Sequence, residues 1–229
     1  MDVNIYDKLA QKYDSATKIV SFGIEELWRF MFVREIKKEI KDGVLLDIAS
    51  ATGEMAKSLG FKKMYLIEPS EKMNEIAKKK LTKAFDCKVK GNILTCDKEI
   101  IILKDTAENF HINEKVDLIT AFMAVRNFDN LNKGMENLKS HLTSGGIIAI
   151  VEMTKSNSII AKAVMWYMNN VVPIIAGLLL GMKEEYKLLG KSINSLDESV
   201  VLQNLEGFSI IKKKKLIFDI ATLIIAKKR

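Results

Sequence analysis

Four segments of this chain place chemically versatile side chains directly after short apolar runs. Asp47, Ala49, Thr52 and Gly53 belong to the turn Asp47-Ile48-Ala49-Ser50-Ala51-Thr52-Gly53-Glu54, which follows Val44-Leu45-Leu46. Glu68 ends the run Met64-Tyr65-Leu66-Ile67. Asp105-Thr106-Ala107 follows Ile100 to Leu103, and Phe122, Arg126 and Asn127 follow the run that starts at Val116. A carboxylate in the position of Glu68 can accept both hydroxyls of a ribose. A polar side chain at Asp105 or Thr106 can bond an exocyclic amine of a base while the next backbone N–H meets a ring nitrogen. Arg126 and Asn127 can orient a phenolate or carbonyl oxygen. Glu152, at the end of a fifth apolar run, is a candidate base or orienting acceptor. His111 and His141 fall away from these positions.

The first turn discriminates between nucleotide cofactors. A dinucleotide site needs G-x-G-x-x-G so that backbone can approach a pyrophosphate. Here Gly53 is the sole glycine of the turn, which disfavours a nicotinamide cofactor. S-adenosylmethionine has no pyrophosphate, and its sulfonium and amino-acid tail call for an acid and backbone groups nearby. Asp47 is placed for the ammonium.

The elements that must position these residues alternate. Residues 3–19 and 24–40 read as helices separated by Ser21-Phe22-Gly23, with Asp42-Gly43 closing the second. Val44 to Ile48, Lys63 to Glu68, Ile100 to Leu103, Val116 to Phe122 and Ile147 to Val151 read as strands buried on both faces. Helices are expected from Glu54, over Glu71 to Ala84, and over Leu131 to Leu142, the last ended by Ser144-Gly145-Gly146. Strands alternating with helices imply right-handed crossovers and a parallel sheet. Ser209 to Leu216 and Ala221 to Ala226, joined by Ile217 to Ile220, leave no room for a crossover helix and form a hairpin. The prediction is an α/β fold of the class I methyltransferase, Rossmann-like type. Its sheet has seven strands, mostly parallel, with an antiparallel C-terminal hairpin and an N-terminal helical extension (1–42). Ligands of such a sheet bind outside the carboxyl ends of the strands at the switch point.

Composition narrows the partners. The chain of 229 residues has two prolines and no Gly/Ser-rich tract, so 1–229 is expected to form a single domain. The net charge of +7 is read as a solvated surface or as attraction to anionic lipid. Lys212-Lys213-Lys214-Lys215 has no interleaved aromatics, so no nucleic-acid partner is expected. Cys87 and Cys96 match no metal-ligand spacing and are expected as free thiols in a reducing cytoplasm. No metal site is expected, and the N-terminus carries no secretory signal. Ser158 to Trp166 and Val171 to Met182 are largely apolar, but Lys162, Asn169 and Asn170 interrupt them. The stretch is therefore expected to fall short of the ~20 apolar residues of a span and to form a buried or interfacial helix.

Further segments extend the pattern over nearly the whole chain. Lys12-Tyr13-Asp14, Ser21-Phe22-Gly23-Ile24 and Leu27-Trp28-Arg29 open it; Val125-Arg126-Asn127, Leu142-Thr143-Ser144-Gly145-Gly146, Val151-Glu152-Met153-Thr154-Lys155 and Tyr186 to Ile193 continue it. Together they resemble the ubiquinone/menaquinone biosynthesis C-methyltransferases. The resemblance implies S-adenosylmethionine contacts at Thr52, Glu68, Thr106, Ala107 and Phe122. It also implies a prenylated quinol acceptor such as demethylmenaquinol, a substrate-side helical insertion over 156–195, and a cytoplasmic enzyme peripheral at the inner face of the cell membrane. Two departures stand out. Ser50 and Ala51 replace the family's two central glycines, and Thr106 stands where an acid or Asn is usual. Another small-molecule acceptor, or a non-catalytic relative that binds the cofactor, remains the alternative.

Overall fold

The computed structural model describes residues 3–156, 158–193, 196–216 and 219–229, without the side chains of residues 3, 4, 179, 180 and 189–193. The chain opens with α1 (Val3–Leu9), a 3-10 turn (Ala10–Lys12), α2 (Tyr13–Val20) and α3 (Ile24–Glu39). There follow β1 (Val44–Ile48), α4 (Glu54–Leu59), β2 (Lys63–Ile67), α5 (Glu71–Phe85), β3 (Lys88–Lys90), β4 (Ile93–Thr95), β5 (Glu99–Leu103) and β6 (Val116–Phe122). A 3-10 turn (Val125–Asn127), α6 (Leu131–His141) and β7 (Leu142–Met153) complete the crossovers. Three helices, α7 (Ile159–Asn170), α8 (Val172–Leu180) and α9 (Lys183–Ile193), precede α10 (Glu198–Gln203), β8 (Phe208–Lys215) and β9 (Ala221–Lys228).

One nine-stranded sheet runs in the order β3-β4-β5-β2-β1-β6-β7-β9-β8. β5, β2, β1, β6 and β7 are parallel, and β9 lies antiparallel between β7 and β8. The predicted C-terminal hairpin is therefore present, although Ile217 and Phe218 of its connection lie outside the described residues. The chain runs from β1 outward through β2 to β5, then returns to β6 on the other side of β1. That reversal opens a crevice at the carboxyl ends of β1 and β6.

Both faces of the sheet are apolar because alternate strand residues point to opposite sides. Leu45, Met64, Leu66 and Leu118 pack under Phe32, Ile36, Met55 and Leu81 of α3 to α5. Leu46, Ile48, Ile67 and Ile119 pack under Met135 and Leu138 of α6. A third, smaller cluster lies away from the sheet and joins the N-terminal helices to α8 and α9 through Leu9, Ala16, Val20, Val172, Ala176 and Tyr186.

Several expectations change. Two short strands, β3 and β4, add to the seven predicted from the pattern; three-residue strands carry too little periodicity to be read. Their antiparallel register sets Lys88 opposite Thr95, which puts Cys87 directly across from Cys96. The pair, expected as free thiols, forms a disulfide with Cα atoms 4.5 Å apart. Helix α3 ends at Glu39 with Ile40 extended, so Gly43 is not its cap. At φ 139° a Cβ there would meet Asp117 Oδ2 at 2.8 Å, and the bare backbone admits the hydrogen bond from Val44 N to that carboxylate. Gly145 and Gly146 lie inside β7, not in a loop. Finally, Ile159–Leu178 forms a 20-residue helical run of mean hydropathy 1.4, which by length and composition is enough to cross a membrane. By that measure the expected shortfall is corrected, with Lys162 inside α7, while Asn169 and Asn170 close α7 and Val171 parts it from α8.

Candidate active site

The turn after β1 is held by backbone geometry rather than by glycine. Ala49 (φ 50°) and Ala51 (φ 46°) both occupy the left-handed region, as does Gly53 (φ 78°). Of the two glycine replacements, Ala51 alone takes a conformation that costs a residue with a Cβ about 1–2 kcal/mol; Ser50 has no positive φ. Three hydrogen bonds hold the turn: Ser50 N to Ile67 O at 3.2 Å and Gly53 N to Ser50 O at 2.8 Å, and Ala51 N to Glu68 Oε2 at 3.0 Å.

Glu68, next after β2, is buried. Its second oxygen accepts from Ser70 N at 3.0 Å, and Asn74 donates to its carbonyl at 2.8 Å. Ser70 in turn caps α5 by accepting from Met73 N. Burial pushes the Glu68 carboxyl up, and the two backbone N–H bonds pull it back. Each oxygen keeps a lone pair, so the group can still accept hydroxyl donors.

Asp47 is buried in β1, next to its last residue Ile48. Thr120 donates to its Oδ1 at 2.7 Å, whereas its Oδ2 has no partner. Burial pushes its carboxyl up to about 7, opposed by the Thr120 bond and assisted by the charge of Glu68. A buried acid in this condition calls for a cation.

Opposite the turn, β6 leads through Met123 (φ 55°) into the 3-10 turn that carries Arg126 and Asn127. Glu152 of β7 accepts from the Arg126 backbone N–H at 3.1 Å and forms a close ion pair with its guanidinium. Glu152 is therefore an orienting acceptor for Arg126. The arginine is mostly buried, and its Nε has no partner among the described residues; desolvation lowers its pKa, but the charge and hydrogen bond of Glu152 together with Tyr6 and Tyr13 leave it raised. The Asn127 amide lies beside the Tyr6 hydroxyl.

These groups wall one cavity of about 910 Å³. It takes in Asp47, Ala49, Thr52, Glu68, Phe122, Arg126 and Asn127. Gly53, Asp105, Thr106 and Ala107 lie outside its wall. The Asp105 carboxylate bonds Thr106 N at 2.8 Å, and Asn109 donates to the Thr106 hydroxyl. Ala107 is buried, with its carbonyl bonded by Asn137. Gly53 packs its bare Cα against Leu81 and Ala77, which an added Cβ would approach to 3.2 and 3.3 Å.

The remaining wall comes from helices far away in the chain. Tyr6, Tyr13, Glu25 and Trp28 enter from α1 to α3; Ile159, Val164 and Tyr167 from α7; Tyr186 from α9. Spacing gives no sign of these residues, because packing of α2 against α8 brings them in; Tyr13, Trp28 and Tyr186 stood in segments singled out from the sequence only through the family resemblance. Two polar links tie the N-terminal helices to the strand ends. Ser70 donates to Asp7 at 2.5 Å, and Thr52 donates to Asp14 at 2.7 Å while accepting from Lys80 at 2.9 Å. The basic run at 212–215 plays no part: Lys212 pairs with Glu35, and Lys213 and Lys215 with Glu198.

The cavity is short of partners on both sides. Asp47 Oδ2, Ser50 Oγ, Arg126 Nε, Trp28 Nε1 and the Tyr167 hydroxyl are all buried without a hydrogen bond among the described residues, and all five residues wall it. Buried polar atoms are ordinarily paired, so this set fits a ligand that supplies a cation near Asp47 and an oxygen near Arg126. S-adenosylmethionine fits the Asp47 and Glu68 side through its ammonium and its ribose.

Comparison with known proteins agrees. The chain is 26% identical to a ubiquinone/menaquinone biosynthesis C-methyltransferase of Campylobacter jejuni, over 99% of this chain and 97% of the relative. It is 28% identical to a demethylmenaquinone methyltransferase of Thermotoga maritima, over 97% and 94%. Among solved structures, an S-adenosylmethionine-dependent methyltransferase of Thermotoga maritima superposes with a TM-score of 0.67 at 15% identity, covering 99% of both chains. The N-methyltransferase NodS of Bradyrhizobium japonicum bound to S-adenosyl-l-homocysteine superposes at 0.60 and 12% identity, over 90% of this chain and 87% of that one. The profile of the ubiE/COQ5 methyltransferase family matches residues 2–228, and this chain accordingly belongs to that family, as an S-adenosylmethionine-dependent methyltransferase with the class I fold.

Proposed function

We propose that the enzyme methylates a ring carbon of a prenylated quinol in quinone biosynthesis, with demethylmenaquinol as the type substrate. The carrying observation is the pairing of Arg126, whose buried Nε has no hydrogen-bond partner among the described residues, with an apolar chamber walled by Ile159, Val164, Tyr167 and Val172. Such a chamber suits an acceptor with an oxygen on its ring and an isoprenoid tail. The names of the Campylobacter and Thermotoga relatives point the same way.

The bound cofactor supplies an electrophilic methyl group on a sulfonium. Asp47 and Glu68 hold its polar ends from the strand side. Arg126, fixed by Glu152, holds the ring oxygen of the acceptor and stabilises negative charge there, which makes the adjacent carbon nucleophilic. The helices above the strand ends exclude water and align carbon with methyl. Asp47, Ala49, Thr52 and Glu68 are assigned to the cofactor, Arg126 and Asn127 to the acceptor. Phe122, at the end of β6 in the same wall, is assigned to the cofactor.

The tail is read at the cytoplasmic membrane surface. Ile159, Trp166, Ile174 and Leu178 are more than half exposed along one stripe of α7 and α8, and Phe22 beside the cavity is 74% exposed. An exposed apolar stripe on a helix that also walls the cavity suits insertion into the headgroup region.

The deciding assay incubates the enzyme with methyl-labelled S-adenosylmethionine and reduced demethylmenaquinone-containing membrane extract. Label is expected on the quinone ring carbon; label in a different small molecule, with the quinone unmodified, overturns the quinol reading. Sedimentation with anionic phospholipid vesicles tests the surface separately. Trp166→Glu is expected to lower binding several-fold, and equal binding by both proteins removes the membrane contact.

A further inference from the structure

A quinol ring carbon becomes nucleophilic when the adjacent hydroxyl gives up its proton, so the acceptor half of the cavity needs a group to hold that proton during methyl transfer. Neither histidine of the chain walls the cavity. The wall does include several acids, but most are engaged. Both oxygens of Glu68 accept backbone N–H groups. Asp14 receives Thr52 and Lys80 on its two oxygens, and Glu54 pairs with the same lysine at 2.7 Å. Asp47 lies on the strand side with the cofactor groups. Glu26 is half exposed and faces Lys18 at 3.4 Å. The wall tyrosines Tyr6, Tyr13, Tyr167 and Tyr186 are pushed further from ionisation by burial.

Glu25 differs from all of these. It stands in the first turn of α3 after Gly23, in the acceptor half of the wall. Arg29 reaches one oxygen, Oε1, at 3.3 Å; Oε2 has no hydrogen-bond partner among the described residues. The charged and titratable groups around it are Arg29 and Glu26 on its own helix, Tyr13 and Asp14 from α2, Arg126 from the turn after β6 and Tyr186 from α9.

We propose that Glu25 is the general base, taking the hydroxyl proton of the quinol while Arg126 holds the oxygen. This rests on the quinol reading above. The O–H bond breaks, its proton goes to Glu25 and its electron pair stays on oxygen. That pair moves into the ring, and the adjacent carbon forms a bond to the sulfonium methyl as the carbon–sulfur pair departs with sulfur. The ring carbon then carries both hydrogen and methyl. Its proton leaves to solvent, aromaticity returns, and Glu25 gives its proton back to the oxygen, so one net proton is released. Burial raises the Glu25 carboxyl, against the pull of Arg29 and Arg126, which brings it nearer to the acidity of the hydroxyl it serves.

The test uses the full-length enzyme with a short-chain prenylated naphthoquinol at saturating cofactor, so that titration of Asp47 does not intrude. Glu25→Gln is expected to lower kcat by about 100-fold and to abolish the acid limb of the kcat–pH profile. Cofactor affinity by calorimetry should stay within about two-fold. Glu25→Asp should restore part of the rate together with a shifted acid limb. A Glu25→Gln enzyme that keeps the wild-type rate, or keeps the acid limb, overturns the assignment, as does a parallel loss of cofactor affinity. A wild-type enzyme inactive on the quinol would instead overturn the substrate reading.

Discussion

The two halves of the cavity are anchored very differently. The cofactor half consists of strand ends continuous with the sheet, where Leu45, Leu46, Met64 and Leu66 are fully buried. The acceptor half hangs on α1, α2, α8 and α9, whose shared core is the six-residue cluster around Leu9, Val20 and Val172. Burying an apolar side chain contributes roughly 1.5–3 kcal/mol, while ordering each residue costs about 1–2 kcal/mol in backbone entropy. A six-residue core over four helices therefore leaves little surplus. The cap is the part that opens at low free energy, held down by the Asp7–Ser70 and Asp14–Thr52–Lys80 links. A rigid half suits a small polar cofactor that must be held in one geometry. A loosely anchored half suits a long apolar acceptor that must get in.

The sharpest way to break this division is at Arg126. Arg126→Ala should lower kcat by about 100- to 1000-fold with cofactor affinity nearly unchanged, as calorimetry beside steady-state kinetics would show. The partner variant Glu152→Gln should accompany it, because a lone buried carboxylate destabilises the fold by about 3–5 kcal/mol. If cofactor affinity falls while kcat holds, Arg126 belongs to the other half. Next in size is Glu68→Ala. It removes the ribose acceptor and strands the N–H groups of Ala51 and Ser70, each worth about 1–3 kcal/mol when unsatisfied. Cofactor affinity should drop by about 30-fold or more; an unchanged dissociation constant would move the ribose elsewhere.

Asp47 sharpens the comparison by pH. Its carboxyl sits at about 7 when no cation faces it, and a bound ammonium must lower that value. Cofactor binding therefore strengthens as pH rises to about 7 and weakens by up to about tenfold per pH unit below it. Calorimetric titrations across that range check the slope, and a pH-independent affinity would separate Asp47 from the ammonium. The smallest effect is Ala51→Gly. Relief of the left-handed strain should stabilise the protein by about 1 kcal/mol, partly offset by the entropy of glycine. A rise in melting temperature of a few degrees with cofactor affinity intact is expected. A fall would show that the turn gains more from the Cβ than it loses to its φ of 46°.

Much of the half of the cavity assigned above to the cofactor carries a one-dimensional signal. Asp47 and Glu68 were recognisable because each ends an apolar strand, and strand ends of a parallel sheet converge wherever the crossovers are right-handed. Asp105-Thr106-Ala107 obeyed the same rule and yet stays outside the cavity wall, since a strand end fixes a neighbourhood and not the direction of a side chain. In the acceptor half, strand-end position marks only Arg126 and Asn127, and family resemblance alone marks Tyr13, Trp28 and Tyr186. Tyr6, Glu25 and Tyr167 carry no spacing signal, because they meet through packing between helices more than a hundred residues apart.

Local pattern determined the alternation of strands and helices, the position of the switch point, the C-terminal hairpin and the acids at the strand ends, since each depends on periodicity within a few residues or on the handedness of one crossover. Tertiary structure decided the rest. It set Cys87 across from Cys96 through the β3–β4 register, turned Glu152 into the partner of Arg126, and forced Ala51 rather than Ser50 into the left-handed region. It also left Glu25 beside the acceptor cavity with one oxygen unclaimed. Each of those outcomes depends on which distant surfaces pack together and which polar atoms that packing leaves unpaired, and no local stretch of sequence specifies either.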